Sequence, residues 1–276
     1  MQNEMQKKTL EINCYVLGAG AFGVFFRWLQ DQMAFNEEGL ADPSVFHVLV
    51  PLFILAAAGL FLRFVDKARN QRYYLPESFS EALRNEGRLF AAIRYTAGAV
   101  MALGGIVLFA TSEVEKEAFM LRILSLLAFL SGISYPLLLN EANREKPRLR
   151  LCCLCALAPV LLFAFWLVTS YKINSINSVL WAYAIEIVAI IVALLSFFRM
   201  AGFPFGCPNP WRAIFFAMLG TAMCIMALAD SRTLGMQMIF AGAAIMLLLY
   251  NWIMIHNLLR KEAPIRYRPD DGFERL

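Results

Sequence analysis

Residues 178–199 read SVLWAYAIEIVAIIVALLSFFR, an apolar run with one carboxylate, Glu186, and no other charge before Arg199. About 20 residues of helix, each rising ~1.5 Å, cross a hydrocarbon layer of ~30 Å. Seven further runs of that kind lie at residues 12–30, 44–65, 92–111, 119–140, 149–170, 213–229 and 233–259. The pattern predicts an all-α, polytopic integral membrane helix bundle of about eight transmembrane helices. Composition agrees: 60% of residues are apolar and 17% charged, against about 45–50% and about 25% in a soluble domain. The longest gap between runs is too short for a separate folding unit, so residues 1–276 are expected to form a single membrane domain with a connector near 66–91.

Charge sets the expected orientation. Lys and Arg concentrate in the N-terminal tail (Lys7, Lys8), from Arg63 to Arg94, from Arg144 to Arg150, at Arg199 and Arg212, and from Arg260 onward. The alternate gaps and their flanks hold only Arg27, Lys116, Arg122, Lys172 and Arg232. Positive loops stay on the cytoplasmic side, so both termini are expected to be cytoplasmic, in the cell membrane. The same rule accounts for the net charge of +4, and no nucleic-acid partner is implied. Lys7, Lys8 and Ala19-Gly20-Ala21 imitate a secretory signal. The apolar sequence continues through Phe25 and Phe26, however, as a retained helix would.

In the connector, Pro76 sits near an expected helix start, with Glu77 and Glu81 in the first turns and Phe79, Leu83 and Phe90 at helical spacing. A surface helix that meets anionic lipid or a partner would have this pattern. Glu86 and Gly87 interrupt it, which favours an ordinary connector. Between the sixth and seventh runs, Pro204, Pro208 and Pro210 forbid a continuous helix and predict a stiff turn ending at Trp211. No internal repeat is apparent.

Gly18-Ala19-Gly20-Ala21-Phe22-Gly23 is a literal G-x-G-x-x-G. A dinucleotide site requires that motif inside a soluble βαβ unit, and here an acidic loop and another apolar run follow. These glycines, with Gly98, Gly104 and Gly105, are expected to let helices approach closely. The chain has six cysteines. Cys152, Cys153 and Cys155 lack the further ligands that a metal site needs, so small apolar packing is expected of them. His47 and His256 fall at opposite ends of the expected bundle, which excludes a haem shared by both. No motif assigns an enzymatic activity, and no cofactor or metal is expected.

Glu186 is the most unusual residue, about eight positions or ~12 Å inside its run. A carboxylate at that depth must be protonated, paired or facing a wet cavity. Ser131, Tyr135 and Tyr183 are its candidate neighbours, with Pro159 and Pro136 breaking backbone bonds at nearby levels. Transporters build sites from such combinations. The reading is therefore a small-solute or ion transporter with Glu186 as a proton- or cation-responsive carboxylate. The alternative is a non-transporting membrane subunit or sensor that binds a protein partner through its cytoplasmic loops.

Overall fold

The computed structural model describes residues 2–34, 45–71, 73–112, 118–174 and 183–260. Their helices are α1 (Gln2–Met33), α2 (Phe46–Asn70), α3 (Phe79–Leu83), α4 (Arg88–Thr111), α5 (Ala118–Ala142), α6 (Leu149–Asn174), α7 (Ala184–Ala201), α8 (Pro210–Met226) and α9 (Leu234–His256). Eight of them, all but α3, are long and apolar enough to cross a membrane. They coincide with the eight apolar runs. Each long helix packs on its successor except across the connector, and α4 and α9 also join directly. The α9 span is 72% buried and the α2 span 22%, so α9 is central and α2 lies at the rim. On the rim, Leu52, Leu55 and Leu60 are exposed, as suits a helix that faces lipid tails.

Close approach of α4 to α5 and α9 depends on residues without side chains. A Cβ on Gly105 would lie 2.6 Å from the Ser125 carbonyl oxygen, and one on Gly242 would lie 2.9 Å from the Met101 nitrogen. The Gly18–Gly23 motif divides: Gly20 and Gly23 sit against Ile225 and Met226 of α8, while Gly18 has open space. Helix packing therefore accounts for two of these glycines, inside one continuous helix.

The connector is not a single amphipathic helix. Gly87 adopts φ 125°, a conformation that breaks the expected periodicity, and only Phe79–Leu83 is helical. Phe79, Ala82 and Leu83 are buried where α3 packs against α5 and α9. Asn257 Nδ2 donates to the Ala82 and Arg84 carbonyls at 3.0 and 2.9 Å, which satisfies carbonyls at the α3 C-terminus. Asn85 bonds Asn143 through its backbone nitrogen at 2.8 Å and accepts from Arg94 at 3.0 Å. Two short strands, β1 (Tyr73–Tyr74) and β2 (Leu259–Arg260), pair antiparallel beside them. We call this the connector end. A turn interrupts the helix after α7, as the prolines require: Gly206 takes φ 73°, and Cys207 N–H bonds the Gly202 carbonyl at 2.9 Å. Asn209 then caps α8 with Pro210 in its first turn. All six cysteines are free.

Candidate functional site

At the opposite end of the bundle, charges from three separate segments converge, joined by polar groups from α2 and α6. Asp230 and Arg232 belong to the turn between α8 and α9, where a 3-10 turn at Ala227–Ala229 ends the helix. Arg27, on the last turns of α1, donates through Nε to Asp230 Oδ1 at 2.6 Å, and the two side chains are 3% and 4% exposed. The Arg27 Nη1 also donates to Gln30 Oε1 at 2.7 Å, and Gln30 Nε2 lies 3.0 Å from His47 Nδ1 at the start of α2. Burial pushes the Asp230 carboxyl above the usual carboxylate range, against the pull of Arg27.

Glu186 completes the cluster. Its Oε2 lies 2.7 Å from Arg232 Nη2, with the carboxylate 4% and the guanidinium side chain 20% exposed. Ser170 Oγ donates to its Oε1 at 3.2 Å. Ser170 and Trp166 are four residues apart and so share a face of α6, and the Trp166 indole also faces the carboxylate. That indole is held by Phe163 and Phe240, with ring centroids 5.8 and 4.4 Å away. Arg232 also acts on Asp230, and Asp230 on Glu186. Two acids and two bases thus form one electrically neutral group, the arrangement that makes buried charge tolerable.

Two expectations about the site need correction. Glu186 is not at mid-depth, because the described helix begins at Ala184, next to a turn at Tyr183. An apolar run shows that a helix exists but does not fix its first residue, and Glu186 falls in the first turn. Nor are Ser131 and Tyr135 its neighbours. They lie thirteen and seventeen residues into α5, or roughly 20–25 Å from the end where α5 begins. Ser131 Oγ donates to the Leu127 carbonyl of its own helix at 2.7 Å. Tyr135 donates to the Met246 carbonyl of α9 at 3.0 Å and packs edge-on against Tyr250. Of the expected residues only Tyr183, half-buried just before α7, stays near Glu186 in the chain.

The partners that do meet Glu186, namely Arg232, Ser170 and Trp166, went unnoticed in the sequence. Arg27 and Arg232 carried a signal all the same. Both are arginines at the poorly basic end, flanking apolar runs, and Asp230 stands beside one of them. Such arginines call for acidic partners inside the fold. Comparison of the chain with protein-family models, with curated proteins and with solved structures returned no match. Fold and site together define a class, a multi-pass helical membrane protein with a buried, charge-neutral cluster at one end.

Proposed function

We propose that this protein is a small-solute or ion transporter in which Glu186, held by Arg232, is the carboxylate that responds to a proton or cation. The observation that carries the reading is the Glu186–Arg232 contact of 2.7 Å. Ionisable residues in apolar spans are costly and tend to mark substrate or proton pathways. A proton or cation arriving at Glu186 competes with the guanidinium, frees Arg232, and loosens the turn between α8 and α9 from α7. Other charged or titratable groups in the cluster are Asp230, Arg27 and His47.

Glu186→Gln, which mimics the neutral acid, is expected to insert and fold but to lose the pH dependence of uptake in proteoliposomes. Unaltered pH dependence in a well-folded variant would remove the coupling role, and absence of any uptake by the wild-type protein would favour the non-transporting subunit.

We further propose that both termini and the connector end face the cytoplasm, in the plasma membrane. The distribution of Lys and Arg supports this. In a cysteine-free background, single cysteines at Asp31 and Lys172 should react with an impermeant thiol reagent in intact cells. Cysteines at Asn70 and Lys146 should react only after permeabilisation. The reverse pattern would invert the topology.

A further inference from the structure

Polar atoms without a hydrogen-bond partner gather around Glu186. Among the described residues, Trp166 Nε1, Asp230 Oδ2 and Thr233 Oγ1 are buried atoms of this kind, with the Arg27 guanidinium on the other oxygen of Asp230. Folded interiors satisfy nearly all such atoms, so several in one cluster ask for a common explanation. Trp166 is the clearest case. It is 1% exposed, its indole can only donate, and although it lies close enough to the Glu186 carboxylate to act on it, its Nε1 makes no well-formed hydrogen bond.

The charges restrict what can satisfy them. A ligand that engages Glu186 or Arg232 must separate an ion pair largely withdrawn from water. A ligand with one charge compensates one partner and must drive the other out of the closed cluster, as the proton of the transport reading does, because a stranded buried charge is heavily penalised. A ligand carrying an ammonium and a carboxylate compensates both. Its ammonium donates to Glu186, with Asp230 nearby as a second acceptor. Its carboxylate accepts from the guanidinium fork of Arg232 and from the Trp166 indole N–H. The cluster is as neutral after binding as before. We infer that the site takes a small zwitterion of the amino-acid type. This deepens the transport reading by naming its substrate class and rests on it for the claim that the ligand is carried.

The test is ligand-dependent thermal stability of the purified full-length protein in detergent at constant ionic strength. The probes are glycine, L-alanine, β-alanine and γ-aminobutyrate, with methylammonium and acetate as the separate half-charges. At least one zwitterion is expected to raise the melting midpoint saturably, and neither half-charge alone should do so. Trp166→Phe keeps the ring and removes the N–H, and it should weaken zwitterion binding about tenfold. Arg232→Gln should abolish the response. Stabilisation by acetate or methylammonium alone, no stabilisation by any zwitterion, or wild-type affinity in Trp166→Phe would each overturn the inference. Zwitterion binding without uptake of the same labelled compound in proteoliposomes keeps the site and removes transport. Uptake of another solute with no response to zwitterions keeps transport and removes this substrate class.

Discussion

Arg27→Ala should cost this protein about 3–5 kcal/mol of stability, the usual consequence of removing one member of a buried ion pair. The Arg27–Asp230 contact is 2.6 Å long and both side chains are almost wholly shielded. Arg27 holds more than Asp230, because Gln30 and, through it, His47 depend on the same guanidinium. Its loss therefore unties α1 from both the α8–α9 turn and the start of α2. Asp230 would answer by taking a proton, since burial already favours its neutral form, and this recovers part of the cost. Asp230→Asn leaves Arg27 as the stranded charge, and a guanidinium cannot discharge itself by losing a proton. The carboxylate change is therefore the more damaging of the two. Replacing both by Met and Leu should restore much of the stability, because well-packed apolar residues often equal or exceed a buried pair. Melting midpoints of the wild type and the three variants in one detergent check the order. If both single changes were silent, the cluster would not be holding that end of the bundle together.

The contrast between this cluster and the helices explains what the sequence could and could not disclose. Length and hydropathy are local properties, so all eight spans were legible from runs such as 149–170 and 233–259. The glycine reading was legible for a related reason, since a small residue on an apolar helix has few roles besides close approach. Glu186 stood out because it is costly where it sits. Its partners could not be read in the same way. Ser170 is an ordinary span-end serine until α6 and α7 pack, and Arg232 looks like a loop charge until its turn folds back over α7. Ser131 and Tyr135 were misplaced by depth alone: their hydroxyls are satisfied at 2.7 and 3.0 Å by main-chain carbonyls. The pairing of β1 with β2, which sets Tyr73 opposite Arg260 and Tyr74 opposite Leu259, likewise has no local signature.

The glycines give the sharpest test of the packing. A Cβ on Gly132 would lie 2.6 Å from the Ala102 nitrogen and 2.6 Å from the Gly98 oxygen. A Cβ on Gly98 would meet the Gly132 oxygen at 2.5 Å. These obstacles are main-chain atoms of the facing helix, which cannot turn aside as a flexible side chain would. Gly132→Ala must push α4 and α5 apart, and overpacking of this kind costs about 1–3 kcal/mol or more. Gly132→Val should prevent recovery of a monodisperse protein. Gly18 offers the control, for a Cβ there meets nothing within 4 Å. Gly18→Ala should leave the melting midpoint unchanged or raise it slightly, since alanine favours a helix over glycine by about 1 kcal/mol. The two alanine variants add the same methyl group to helical glycines in apolar spans, so a difference in their midpoints isolates interhelical distance from helix propensity. Equal midpoints for Gly132→Ala and Gly18→Ala would mean that α4 and α5 do not pack at the separation described.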